Sequence, residues 1–472
     1  MNRLLSNMSN NEYMFTGLQQ VDVINPATKE AIASVTLSEA EHVDQAVQKA
    51  HEAFVKWSGF TQAERGQCLH RLADAIEVAQ TELAEIIVCE QGKPLPLAMM
   101  EVGGAIGWTR YHAELEIPVE VLEDSAQRRV EVQRQPVGVV ASITPWNWPL
   151  MIACWHIMPA LKAGNSVVIK PSTFTPLSTL KLVEIINQAL PAKGVVSLVL
   201  GEKEVGEALL QHKSVNKVVF TGSTPVGKRI ASLVAPDLKK VTLELGGNDA
   251  AIVLKGANIS KIAEPIFNTA FINMGQTCAA LKRLYVHRSQ YDALSSALIE
   301  LALSQTVGDG MADGVSFGPV QNAAQFNKVS ELIDEAKASG AEVVSADLPT
   351  HLNGYFIAPT IVKGATASMR VVSEEQFGPV LPIIVYDELD EAIEQSTNTD
   401  FALGGSVWGE AGEDMDYVVN RLDSGTVWIN NHAEVLPHVP FGGNKSSGYG
   451  VEFGLEGLLE NTVRKVVNLA KV

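Results

Sequence analysis

"SVVIKPSTFTPLSTLKLVEIINQALPAKGVVSLVL", residues 166–200, begins and ends on β-branched runs with an amphipathic stretch between them. "SVVIK" and "VSLVL" read as short strands, and "LSTLKLVEIINQAL", with apolar residues three and four apart, reads as a helix. Strand, helix, strand at this spacing is the pattern of parallel strands joined by a crossover helix. The pattern runs on through "KEVGEALLQH", a helix, to "KVVFT" (217–221) and "VTLEL" (241–245), two more strands. After about residue 250 a second set follows: "AAIVL", "RLYVH", "LPIIVY", "GGSVW" and "GTVWIN". Two α/β domains are expected.

Upstream, residues 41–113 carry helical periodicity. "RRVEVQRQPVGVVASI" alternates in the β manner until Pro136, and the final "TVRKVVNLAKV" is a lone strand-like segment whose edge needs a partner. Between Arg134 and Lys162 no charged residue occurs, but prolines, Asn147 and His156 interrupt the run. It reads as strand, loop and buried helix, not a membrane span.

The chain has 472 residues, 46% apolar and 19% charged, with a net charge of -18. That surface argues against phosphate-backbone binding, so no nucleic-acid partner is expected. The four cysteines (68, 89, 154 and 278) show no C-x-x-C pair and no metal-ligand spacing; reduced thiols in the cytoplasm are expected, and no metal. "MNRLLSNMSNNEYM" lacks the apolar run of a secretion signal.

Ligands of a doubly wound sheet bind beyond the carboxyl ends of its strands. Those ends deliver Lys170, the loop "TGSTPVG" (221–227) and Glu244 to one edge, a credible dinucleotide site with free N–H groups on the helix after Gly222. "GSTPVGKR" has the glycine spacing of a P-loop, but Arg229 stands where an NTPase needs Ser or Thr for magnesium. "INMGQTCAAL" (272–281) surrounds Cys278 with small residues that leave a hollow at the sulfur. Most cysteines are small buried hydrophobes; a catalytic thiol, with an ordinary pKa of about 8.5, must first be ionised. Glu244 could take that proton or activate water, or it could be a solvated strand end. In "TPWNWPL" (144–150) two prolines and two tryptophans hold one amide, Asn147. It suits an oxyanion hole with the Cys278 N–H as second donor, or it satisfies its own turn.

Together these residues resemble the aldehyde dehydrogenase superfamily from about residue 20 to the C-terminus. "PWNWP", "IKPSTFTP", "FTGSTPVG", "LELGGN", "GQTC", "EEQFGPV" and "PFGGNKSSGYG" follow in the family's order, and the 34-residue step from 244 to 278 is the family's spacing. The resemblance implies two doubly wound α/β domains, a Rossmann-like cofactor domain (1–117 and 139–245) and a catalytic domain (246–440), plus an oligomerisation hairpin and tail (118–138 and 441–472). It implies a homodimer or homotetramer that oxidises a small-molecule aldehyde to a carboxylic acid with NAD or NADP. Cys278 would attack the aldehyde carbon, Asn147 and the Cys278 amide would hold the oxyanion, and Glu244 would activate the water that hydrolyses the thioester. Glu452, in "GYGVEFG", matches a second glutamate near that water. Ile143, Thr144, Trp146, Lys170, Ser172, Thr173, Gly201, Gly222, Ser223, Gly227, Leu245, Gly246, Glu375 and Phe377 would bind the cofactor. Trp148, Ile152, Trp155, Thr277, Val435 and Phe441 would line the aldehyde tunnel; its apolar character suits a neutral aliphatic or aromatic aldehyde.

One departure stands out. Many NAD-preferring relatives carry glutamate three residues after the lysine; here that position is Thr173, which cannot repel a 2′-phosphate, so NADP should be accepted. Two other readings within the family are a CoA-acylating enzyme and a silent binding protein. Relatives of the first kind that resemble methylmalonate semialdehyde dehydrogenase lack the glutamate found at Glu244, and the second would usually have lost Cys278, Glu244 or Asn147.

Overall fold

Every residue of strand Val139–Ile143 is buried, and its side chains alternate between two cores. Val140 packs into one, with Val167, Ile169 and Val219 of neighbouring strands. Val139, Ala141 and Ile143 pack into the other, with Val168, Val218, Phe220 and Leu243. A strand covered by helices on both faces reads as continuous β-branched sequence, which is how these runs appear. The computed structural model describes residues 19–471. The amino-terminal segment read above for secretion lies outside them.

The sheet built on this strand has six members, in spatial order Gly448–Tyr449, Lys240–Glu244, Val215–Thr221, Val139–Ile143, Ser166–Lys170 and Val196–Leu198. All neighbours are parallel except the first pair, where Gly448 faces Glu244 in antiparallel register. The five parallel strands run outward in both directions from Val139–Ile143, so the doubly wound expectation holds. Four helices upstream (Ala40–Trp57, Gln62–Val78, Gln80–Gln91 and Leu95–Glu114) account for the periodic stretch. The second opens on a capping box in which the Glu64 N–H donates to Thr61 Oγ1 and the Glu64 carboxylate accepts from the Thr61 N–H.

A second sheet of seven strands runs Glu342–Ser345, Thr360–Lys363, Val380–Tyr386, Leu281–His287, Asp249–Val253, Gly404–Trp408 and Thr426–Ile429, parallel but for the first. Its residues likewise alternate, Ala251 and Val253 into one core and Ala250 and Ile252 into the other. Five residues after Glu244 close the first sheet's strand, Asp249 begins one in the second.

The lone terminal strand finds its partner within the chain. Thr462–Ala470 pairs antiparallel with Arg128–Pro136, which pairs with Glu120–Asp124, giving a three-stranded sheet. The uncharged run becomes strand Val139–Ile143, a turn and helix Pro149–Ala163. Among the described residues no helix is long and apolar enough to cross a membrane.

Candidate active site

The order of the first sheet reverses between Val139–Ile143 and Val215–Thr221, and a cleft opens beyond their carboxyl ends. Pro145, Trp146, Asn147, Gly222, Ser223, Leu245, Gly246, Cys278, Gln325, Lys328, Glu375 and Phe377 are among its lining, and it encloses about 690 Å³ of empty space, open solvent included. Gly222 donates its N–H to the Glu244 carbonyl (3.0 Å), and Ser223 stands at the start of helix Thr224–Val234. Trp146 meets Phe377 edge-on at 5.3 Å. The Glu375 carboxylate accepts the Gly247 N–H at 3.1 Å. A Cβ at Gly246 would come within 2.6 Å of its other oxygen, so glycine is what lets the carboxylate close in. Burial pushes the Glu375 carboxyl up to about 7.

Cys278 keeps partial exposure. Its thiol is pushed well above the ordinary range by burial first, then by the carboxylates of Glu244, Asp249 and Glu375. Just before it, Asn273, Met274 and Gly275 all adopt left-handed backbone (φ 52°, 55° and 69°), a run that only surrounding contacts can hold. Those contacts are present. A Cβ at Gly275 would collide with the Gly378 carbonyl, and buried Lys282 donates to the Gly275 carbonyl.

Asn147 is buried and does not satisfy its own turn. Its Nδ2 donates to the carbonyl of Gln276, two residues before the nucleophile, at 3.0 Å, which leaves its second N–H free. The backbone around it is clamped. Its carbonyl accepts from Lys93 Nζ and Asn273 Nδ2, both at 2.9 Å. Lys93 is fully buried and paired with Glu101 (2.6 Å), whose other oxygen takes the N–H groups of Leu150 and Met151. Lys93 Nζ also lies 3.6 Å from the ring centre of Trp148, whose indole N–H donates to Thr277 Oγ1 at 2.9 Å. Neither Lys93 nor Glu101 carried a signal in the sequence.

Glu244 is no solvated strand end. It is 5% exposed, burial and then the nearby Glu452 carboxylate raise its carboxyl well above the usual range, and its Oε1 has no hydrogen-bond partner among the described residues. Glu452, buried as well, is held by two backbone hydrogen bonds to Phe441. Its Oε1 lies 3.3 Å from Nε2 of buried His156, a ring that also contacts Ser142 Oγ (2.8 Å) and Thr221 Oγ1 (2.9 Å). In the sequence His156 stands out only as an interruption of an apolar run.

Trp155, Val435 and Phe441 join Trp108, Trp428 and Phe453 in an apolar cluster against Cys278. Trp155 and Phe453 cross at 4.8 Å, and Trp108 and Phe453 extend the wall beyond the residues anticipated. Ile152 is buried one turn from Trp155, outside the cluster.

Lys170, Ser172, Thr173 and Gly201 gather at the next strand ends and do not line the cleft itself. Lys170 Nζ donates to the carbonyls of Gly201 (2.7 Å) and Pro171 (3.3 Å). Ser172 Oγ accepts the Phe174 N–H, and Thr173 Oγ1 donates to Glu202 at 2.7 Å. Ile143 and Thr144 are buried at the end of their strand, and Gly227 packs against Leu245. An open cleft with side-chain-free glycine turns and a buried carboxylate, with an ammonium that keeps one spare N–H at the neighbouring strand end, fits a nicotinamide dinucleotide.

Comparisons with known proteins point the same way. The family model described as "Aldehyde dehydrogenase family" matches residues 14–467. The chain is 37% identical over 455 residues to aldehyde dehydrogenase 1A1 of Oryctolagus cuniculus, covering 95% of this chain and 92% of that one. It is also 37% identical over 468 residues to phenylacetaldehyde dehydrogenase of Pseudomonas fluorescens, with the same two coverages. Among solved structures, an NAD+ complex of aldehyde dehydrogenase from Bacillus cereus superposes with a TM-score of 0.92 at 35% identity, covering 96% of this chain and 93% of that chain.

Proposed function

The chain belongs to the aldehyde dehydrogenase family, oxidising an aldehyde to a carboxylic acid with NAD(P)+, and from that premise we propose which of its residues do the work. Cys278 is the nucleophile. Its proton passes to Glu244, whose carboxylate, buried and beside Glu452, is a stronger base than an exposed glutamate. The sulfur bonds to the aldehyde carbon, and the carbonyl oxygen takes up the charge between the free N–H of Asn147 and the Cys278 amide. NAD(P)+, when bound, supplies the hydride acceptor that turns this thiohemiacetal into a thioester. Once Glu244 has passed that first proton on, it removes a proton from water, the hydroxide adds to the thioester carbon, and the C–S bond breaks to release the acid and the Cys278 thiolate. Glu452 and His156 extend a buried path along which that proton can leave.

The observation that carries this reading is the convergence of Asn147, Cys278 and Glu375 on the cleft that also holds the Gly222–Ser223 turn. The remaining cofactor residues follow from it: Glu375 and Phe377 at the nicotinamide end, Lys170 and its neighbours at the adenosine end. Residues 19–117 and 139–245 form the cofactor-binding unit, 246–440 the catalytic unit, and 118–138 with strand Thr462–Ala470 the oligomerisation element; residues 441–453, expected in that element, return instead to the first sheet and the active site through Gly448–Tyr449, Phe441 and Glu452. Val121, Leu122, Val466 and Leu469 are exposed on the three-stranded sheet, and they support a homodimer or homotetramer. The lack of any C-x-x-C pair or metal-ligand spacing among the four cysteines supports a cytoplasmic location.

The substrate is a neutral aliphatic or aromatic aldehyde. The Trp108, Trp155, Phe441 and Phe453 wall beside Cys278 supports it, as does the name of the phenylacetaldehyde-oxidising relative. A panel of aldehydes ranked by kcat/KM at 340 nm, with and without CoA, tests it. Neutral aldehydes should rank first without CoA; a carboxylate-bearing aldehyde at the top, or a CoA requirement, would refute it.

A further inference from the structure

We infer that Glu202 makes this enzyme select NAD+ over NADP+, an inference that rests on the aldehyde dehydrogenase reading of the cleft. The loop after Lys170 looks neutral, because Thr173 stands where a carboxylate would discriminate. A carboxylate reaches the place from another element. Glu202 immediately follows Gly201 and precedes helix Lys203–Gln211, and its Oε1 accepts the hydroxyl of largely buried Thr173 at 2.7 Å. Threonine here acts as a holder for an acid.

Lys170 belongs to the same cluster. Two of its three N–H groups are spent on the Gly201 and Pro171 carbonyls, leaving one for a ribose hydroxyl. Burial lowers the pKa of this ammonium, and Glu202 is the charge that opposes the shift, so the two sense each other. The cation is therefore partly neutralised before any ligand arrives.

In doubly wound folds an acid at this end of the cleft accepts from the ribose 2′-hydroxyl, and a 2′-phosphate needs a cation instead. A phosphate monoester carries roughly 1.5 to 2 negative charges near neutral pH. Beside Glu202 it meets like charge, and Lys170 has only one N–H left to offer it. Glu202 is exposed, so the repulsion is screened by water; Coulomb's law in that setting gives discrimination of about tenfold. Salt should reduce it.

The test is binding, read by isothermal titration of NAD+ and NADP+ into the full-length protein and into Glu202→Gln, at low and high salt. Wild type should bind NAD+ about tenfold more tightly than NADP+, and Glu202→Gln should bring the ratio below about threefold, mainly by tightening NADP+. Thr173→Val, which frees the carboxylate without removing it, should fall between. Equal affinities in wild type, or a ratio unmoved in Glu202→Gln, would overturn the role of Glu202 while leaving the enzyme's identity intact. No heat with either dinucleotide would overturn both.

Discussion

Replacing Asn147 by alanine separates the chemistry from the fold. The side chain has two N–H groups, one on the Gln276 carbonyl at 3.0 Å and one free to face the oxyanion. Losing a preorganised donor to a developing oxyanion costs about 3–4 kcal/mol, a hundred- to a thousandfold in kcat. The cost to stability is smaller. The Gln276 carbonyl also accepts from Asn273 Nδ2 at 3.3 Å, so it is not orphaned, and the loss is one buried hydrogen bond, about 1 kcal/mol. Lys93 and Asn273 grip the backbone carbonyl of residue 147, which alanine retains, so the turn should stay in place. In single-turnover stopped flow at 340 nm the first NAD(P)H should appear at least a hundredfold more slowly, with the melting temperature down only a few degrees and NAD+ affinity unchanged. An unaltered single-turnover rate would remove Asn147 from the mechanism.

Glu244→Gln should leave a burst of about one equivalent of NAD(P)H per site, followed by steady-state turnover about a hundredfold or more below wild type; full steady-state turnover would mean that another group activates the water. Glu375, raised to about 7, is increasingly protonated below that pH and then loses its strength as an acceptor for a ribose hydroxyl. NAD+ should accordingly bind more weakly as pH falls below about 7, by at most tenfold per unit, a dependence that titration calorimetry should find absent in Glu375→Gln. Lys93→Met strands the Glu101 carboxylate in the interior and should cost about 3–5 kcal/mol in denaturant unfolding; the double variant Lys93→Met with Glu101→Leu should recover part of it, and an unchanged single-variant midpoint would show the pair is not a strut.

How much was legible depends on the range of the forces involved. The alternation of β-branched runs with three- and four-spaced helices announced both parallel sheets, because such strands are apolar on both faces and each crossover is local. Motif order brought Asn147, Glu244 and Cys278 into one argument. The state of those groups was another matter. A glutamate at a strand end can be solvated or catalytic, and only the return of the Gly448–Glu452 segment beside Glu244 buries it and raises its pKa. The sequence around Asn147 is equally that of a turn residue, and only the fold sets its amide on a carbonyl 129 positions away.

Local sequence thus settled which segments are strands, which are helices, and which strand ends carry chemistry, since period and turn residues act over a few positions. Folding alone decided which charges meet. Lys93 reaches the Asn147 carbonyl across 54 positions, His156 reaches Glu452 across nearly 300, and Thr173 holds the Glu202 carboxylate across 29. Charge–charge and hydrogen-bond energies depend on separation in space and on exclusion of water, and neither is written in the spacing of residues along a chain.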